Sequence, residues 1–181
     1  FGSSGQLSQS FQKIYTKNDI LFSSTNDLDL IKSEDIIPYI DTIKPSCIIN
    51  FSAFNKVDDA EKNDSDALKI NYEAVSKMAS YSYANSIPII HFSSDYVFDG
   101  NQDFPYHEDD ECGPINKYGI SKFLGERAII DSNAQFLIIR TSFLYSRTSV
   151  SFPQIIKKMI ENNSEKLYGA TDIITSPTYS G

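Results

Sequence analysis

Tyr118 and Lys122 stand four residues apart in GPINKYGISKFLGE, a stretch patterned as helix, so their side chains share one face. A phenol with a pKa of about 10 moves protons poorly at neutral pH. A cation one turn away lowers it toward roughly 7, where general acid–base work is efficient. Of the eleven tyrosines only this one has a lysine four residues on, so the pair is not background from a chain rich in both. The ordinary alternative is a surface helix in which Lys122 bridges Glu126. A second set of reactive side chains lies in HFSSDYVFDG (91–100), where an apolar run ends in two serines, an aspartate and a tyrosine. A hydroxyl at Ser94 suits a carbonyl oxygen that gains negative charge during reduction, with Tyr118 delivering the proton. Asp95 could orient a sugar hydroxyl or share in proton delivery; its bland alternative is a turn aspartate.

The chain opens FGSSGQLSQSF, with Gly2 and Gly5 spaced G-x-x-G and Leu7 and Phe11 at helical spacing behind them. After a strand, such a turn lets backbone approach a pyrophosphate at a helix N-terminus. A plain surface turn explains the same residues. Ser8 stands where a third glycine commonly allows close helix packing. An acid closing the second strand would favour NAD. Here Ser23, Ser24 and Thr25 come first and the nearest carboxylate is Asp27, with no arginine beside them, which leans toward NADP.

These residues need a scaffold, and the apolar pattern describes one. Strands are expected at 19–24, 45–51, 88–94 and 135–141, with a short one at 166–169. Helices are expected at 33–44, 66–86, 115–132 and 151–162. Ser33 can cap the first of these helices and Pro114 suits the first turn of the third. Pro38 fits only if its helix starts late or kinks. In the 66–86 helix Ala67, Ile70, Ala74, Met78 and Tyr81 share a face. Short, nearly unbroken apolar strands alternating with helices indicate an α/β fold of Rossmann type, a parallel sheet covered on both faces. Ligands of such sheets sit beyond the carboxyl ends of the strands, where each reactive segment here falls. The expected division is a cofactor-binding domain over 1–141 and the start of a substrate-binding region over 142–181.

The 181 residues suffice for one well-buried domain. Sixteen Lys and Arg against 24 Asp and Glu give a formal charge of -8, which lacks the basic footprint of a nucleic-acid binder. No apolar stretch approaches a membrane span. Cys47 and Cys112, far apart and outside any CxxC, suggest free thiols in a reducing compartment. The carboxylates show no metal-ligand spacing. The ends, FGSSG and SPTYSG, look cut, and a first strand before Phe1 is expected to be missing.

Taken together the segments resemble the dTDP-4-dehydrorhamnose reductase family of extended short-chain dehydrogenase/reductases. GSSGQLS resembles that family's G-x-x-G-Q-L-G, DLDL (27–30) the segment after its second strand, and KPSCIINFSAFNKVDDAE (44–61) its cofactor-side loop with Asn50, Val57, Asp58 and Glu61. HFSSDYVFDG, Tyr118 to Glu126, RTSFLY (140–145) and DIITSPTYSG continue the likeness to the end of the chain. The resemblance implies that Ser94, Asp95, Tyr118 and Lys122 are catalytic. It implies cofactor contacts at Gly2, Gly5, Gln6, Leu7, Asp29, Leu30, Ser52, Ala53 and Asn71, besides Tyr118 and Lys122. Phe143, Arg147, Pro177 and Thr178 would face a nucleotide-sugar substrate. The implied activity is NAD(P)H-dependent reduction of a nucleotide-linked 4-keto-6-deoxysugar for surface polysaccharide, by a protein that could form a homodimer.

The departures from the pattern are specific. Phe51 and Lys56 put bulk and charge beside the expected pocket, Phe143 replaces a tryptophan, and Ile173-Ile174-Thr175 replaces Gln-x-Gly. They suggest an unusual sugar. Two other readings stay open: a non-catalytic NADP-binding subunit that regulates a methionine adenosyltransferase, and a nucleotide-sugar epimerase or dehydratase.

Overall fold

The computed structural model describes residues 1–15, 17, 19–146, 152–162 and 174–180. At its centre lie three parallel strands in the order β1 (Ile48–Asn50), β2 (Ile89–Ser94) and β3 (Phe136–Thr141). Register pairs Asn50 with His91 and His91 with Ile138. Around the sheet run α1 (Gln6–Ile14), α2 (Ile36–Ile43), α3 (Val57–Lys62), α4 (Ser65–Leu68), α5 (Ala74–Ala84), α6 (Lys117–Asp131) and α7 (Phe152–Glu161). This is the parallel α/β architecture expected. A second, two-stranded parallel sheet joins β4 (Leu144–Tyr145) to β5 (Thr178–Tyr179). Two residues are too few to leave a periodic signal, and neither strand was expected.

One sheet face carries Ile48 and Ile89, against which Ile36 and Ile40 of α2, Val75 and Met78 of α5 and Ile129 of α6 form the main core. Each of these side chains is essentially buried. The alternate residues point the other way. There Phe51 and Phe92 stack with centroids 4.9 Å apart, and Phe11 of α1 joins Phe51 at 5.6 Å. The bulk of Phe51, expected beside a substrate pocket, goes into this aromatic stack.

Several local expectations shift. Residues 19–24 form no ladder. Their neighbour is the Phe1–Ser3 backbone, whose Gly2 and Ser3 N–H groups both donate to the Ser23 carbonyl at 3.1 Å, a contact one rung long. Ser33 does not cap its helix. It opens a 3₁₀ turn, Ser33–Asp35, and α2 begins at Ile36 with no side-chain cap. That late start puts Pro38 in the first turn, where its missing N–H costs nothing. The long helix over 66–86 is real in extent, but Lys69–Glu73 is a π-helical turn between α4 and α5. Its expected face is buried at Ala67, Ala74, Met78 and Tyr81. The segment 166–169 lies outside the described residues. Among those described, no helix is long and apolar enough to cross a membrane. Both cysteines are free thiols.

Candidate active site

Helix α6 carries Tyr118 and Lys122 and is fixed by a cap and two glycines. The cap is Asn116, whose side chain accepts from the Gly119 N–H at 2.7 Å; Pro114 lies outside the helix. A Cβ on Gly119 would sit 2.2 Å from the Tyr96 carbonyl, and one on Gly125 would sit 2.2 Å from the Asn71 carbonyl. Only glycine lets α6 press against both the end of β2 and the π turn. Asn71, fully buried, uses that position to brace the neighbouring loop. Its amide accepts from Phe54 N at 2.8 Å and donates to Phe54 O at 3.0 Å and to Ser121 Oγ at 2.9 Å.

This packing brings Tyr118 to Ser94 and Asp95. Ser94 donates to Asp95 Oδ1 at 3.1 Å and accepts from Tyr96 N at 3.2 Å. The Tyr118 ring meets Tyr96 edge-on at 5.5 Å. Burial raises the Tyr118 pKa above its usual value, the hydrogen bond to Ser94 pulls it down, and the Asp95 and Tyr96 charges raise it again. The lowering expected from Lys122 is absent, because Lys122 is engaged elsewhere. Its Nζ is 1% exposed as part of the residue, donates to the Phe92 carbonyl at 2.7 Å and lies 3.3 Å from His91 Nε2. Burial lowers its pKa to about 8, against a smaller opposing pull from Glu126. Nor does Glu126 pair with Lys122 as the helical spacing allowed. Both Glu126 oxygens accept from Arg140 of β3, at 3.0 Å from Nε and 2.8 Å from Nη2.

Sequence reasoning missed His91. It is fully buried, and its Nδ1 lies 3.1 Å from Asn50 Nδ2. Asn50 Oδ1 in turn accepts from Ser52 N at 3.0 Å and from the Ser52 hydroxyl. A continuous polar chain thus runs from the Ser52 loop through Asn50 and His91 to Lys122, beneath the carboxyl ends of β1 and β2. The one available signal was the register of the two strands, which a single sequence does not print.

The glycine turn lies alongside. Gly2 has φ 81°, and a Cβ there would be 2.6 Å from Ser52 N, so both conformation and contact demand glycine. Gly5 precedes α1 without a side chain to cap its first turn, which suits the backbone amides of that nine-residue helix to an anion. Gln6 and Leu7 start the helix, and Ser8 is fully buried in the packing position expected of a third glycine. These residues fit a dinucleotide pyrophosphate. Ala53 is exposed beside Ser52. Asp29 turns its carboxylate to Ile31 N at 3.1 Å, and Leu30 packs on the main core.

On the expected substrate side, Phe143 is half-buried, and its carbonyl accepts from Thr178 N at 2.8 Å. Thr178 begins β5 and Pro177 is exposed before it. Arg147 and Ile173 lie outside the described residues. Thr175, singled out earlier as a departure from the family pattern, donates to Asp95 Oδ2 at 3.3 Å and bonds the Ser142 hydroxyl. Lys56, whose charge was expected near the pocket, pairs at 3.9 Å with Asp59 on an exposed surface. A cavity of about 430 Å³ lined by Asp99, Gln102, Tyr106 and Cys112 contains none of the expected site residues.

A family model described as the RmlD substrate binding domain matches residues 1–181. The chain belongs to the dTDP-4-dehydrorhamnose reductase family. It is 33% identical over 183 residues to a dTDP-4-dehydrorhamnose reductase of Aggregatibacter actinomycetemcomitans, covering 99% of this chain and 62% of that one. With the reductase of Sinorhizobium fredii it shares 34% over 160 residues, covering 88% and 54%. The crystal structure of a reductase from Clostridium acetobutylicum superposes with a TM-score of 0.88 at 30% identity, over 99% of this chain and 64% of that one. The NADP complex of the Bacillus anthracis reductase gives 0.87 at 32%, with the same coverage. The chain therefore spans between about half and two thirds of the reductases it matches.

Proposed function

We propose that this member of the reductase family reduces a nucleotide-linked 4-keto-6-deoxysugar with NADH or NADPH, in the cytoplasm, on the way to a surface polysaccharide. The observation that carries the reading is the meeting of Ser94, Asp95 and Tyr118 at the carboxyl end of β2, one helical turn from a buried lysine. That is where an open parallel sheet binds its ligands. The bound nicotinamide would supply the hydride. Ser94 and Tyr118 would donate to the substrate carbonyl oxygen, Tyr118 would pass it a proton, and Lys122 would restore the balance of charge around the phenolate. Asp95 would hold a sugar hydroxyl. Gly2, Gly5, Gln6 and Leu7 would cradle the pyrophosphate, while Ser52 and Ala53 line the nicotinamide side and Asp29 and Leu30 the adenosine side. Asn71 serves through the loop it braces. Phe143, Arg147, Pro177 and Thr178 would face the sugar nucleotide.

The choice of cofactor turns on Asp27. The hydroxyls of Ser23, Ser24 and Thr25 would tolerate the 2′-phosphate of NADPH. Ser24, however, donates both its N–H and its hydroxyl to Asp27 Oδ2, each at 2.7 Å, and these bonds hold the Asp27 pKa below its usual value. A fixed negative charge there disfavours a second one, so we assign NADH a share at least equal to that of NADPH. Asp27→Asn should move the kcat/KM ratio toward NADPH; an unchanged ratio would remove Asp27 from the choice.

The test of the whole reading follows absorbance of NADH or NADPH with a panel of nucleotide-linked 4-keto-6-deoxysugars, including dTDP-4-dehydrorhamnose. Oxidation that requires both a panel sugar and Tyr118 supports it. Cofactor binding without oxidation across the panel would favour a regulatory role.

A further inference from the structure

The orientation of one buried amide fixes the protonation of its neighbours. Asn50 Oδ1 must be the atom that accepts from Ser52 N, because a backbone N–H can only donate. Asn50 Nδ2 therefore faces His91 Nδ1 and donates to it. An imidazole that accepts at Nδ1 carries its proton on Nε2. That Nε2 faces Lys122 Nζ at 3.3 Å, so the ring presents an N–H to the amine. An ammonium cannot accept it, whereas a neutral amine has a lone pair for it and still donates to the Phe92 carbonyl.

We propose that His91 is a positioning residue for this site: pinned by Asn50, it aims Nε2–H at Lys122 and, in mildly alkaline solution, holds it as an uncharged amine until the anionic cofactor binds. Lys122 then takes up one proton from solvent and turns from the ring toward Tyr118 as an ammonium. The inference rests on the reductase reading for the cofactor, but its first half concerns the free protein alone.

The surroundings agree. Burial brings Lys122 to about 8, so the free amine dominates above that pH, and keeps His91 well below its usual value, with Lys122 adding to the depression of the ring. Among the described residues, the charged group acting on Lys122 is Glu126 of α6, which favours the ammonium and is itself matched by Arg140 of β3, and the one acting on His91 is Lys122. Asn50 of β1 and Asn71 of the π turn bring amides, not charges.

The test starts with nitrogen NMR of histidine-labelled, ligand-free intact protein, in which only His91 and the exposed His107 contribute. The expected result at about pH 9, where Lys122 is mainly the free amine, is His91 protonated at Nε2 and bare at Nδ1. The opposite tautomer, or an imidazolium, would overturn the proposal. Carbon-detected titration of Lys122 should give a midpoint near 8, and His91→Gln, which offers an acceptor to the ammonium, should raise it by roughly one unit or more. An ordinary lysine midpoint in the wild type would equally overturn it. Calorimetry of NADH and NADPH binding at about pH 9, where the free amine dominates, in two buffers of different ionisation enthalpy should then show close to one proton taken up, lost in Lys122→Met. Binding without uptake refutes the cofactor-linked step. Failure to bind either cofactor counts against the reductase reading, while the tautomer and the titration still decide the role of His91.

Discussion

Arg140 of β3 grips Glu126 of α6 with two nitrogens, at 3.0 and 2.8 Å, and so withholds from Lys122 the carboxylate its own helix offers four residues on. The Glu126 side chain is 2% exposed, and the Arg140 guanidinium is further held over the Phe98 ring at 4.9 Å. The bridge therefore does two things. It fastens α6 to the sheet and leaves the lysine to His91.

Removing one partner of this pair strands a buried charge. Arg140→Met should destabilise the protein by about 3 kcal/mol in denaturant unfolding. Glu126→Gln in the same background should recover part of that loss, since the stranded carboxylate is then gone. A loss under about 1 kcal/mol would class the bridge with exposed pairs.

Lys122 makes stability depend on pH in a direction opposite to a paired lysine. Its native pKa, about 8, lies below the 10.5 of an unperturbed group, so between those values the unfolded chain binds more protons. Stability then rises with pH across that window, and the burial penalty is fully present below it. Against Lys122→Met, which lacks the titration, the wild type should gain about 3 kcal/mol between pH 8 and 10.5. Chemical unfolding of both proteins at several pH values measures the difference. A flat difference would mean that Lys122 keeps an ordinary pKa.

Tyr118→Phe removes a hydroxyl and little packing. Turnover in the proposed reductase reaction should fall by about 10²–10⁴, while cofactor affinity stays near that of the wild type. Steady-state kinetics and cofactor titration separate the two. Unchanged turnover would take Tyr118 out of the mechanism.

Gly125→Ala tests the contact between α6 and the π turn. The added methyl meets the Asn71 carbonyl at 2.2 Å, a backbone atom that cannot swing aside. Overpacking of this kind costs about 1–3 kcal/mol, read as a lower melting temperature. Because Asn71 holds both polar groups of Phe54, cofactor KM should rise as well. A melt that shifts with no change in KM would confine Asn71 to stability.

Much of this was legible in the chain. The run at β2 is continuously apolar, and Tyr118 to Glu126 carries its helical spacing openly, so the meeting of Ser94 with Tyr118 could be expected. What Lys122 and Glu126 do could not. Spacing along α6 made them partners, yet His91 and Arg140 lie on β2 and β3 and arrive only through tertiary packing. The segment 19–24 shows the same limit. Its apolar pattern is strand-like, but a strand is defined by its neighbour, and the backbone that meets it alongside is Gly2 and Ser3, both bonded to the single Ser23 carbonyl. The bond from Thr175 to Asp95 escaped for a related reason, since it spans 80 residues.

Gln6, at the start of α1, donates to the Ser180 hydroxyl at 3.1 Å, and Ser180 N donates to the Tyr145 carbonyl at 3.0 Å. The cradle proposed for the pyrophosphate and the segment proposed to face the sugar are thus joined by one short hydrogen-bonded path. If those roles hold, a shift of Gln6 around a pyrophosphate would reach the strand beside Phe143, and linkage would make the effect reciprocal. Under that reading the two ligands should report on each other, and an affinity measured for either alone would describe only half of a coupled pair.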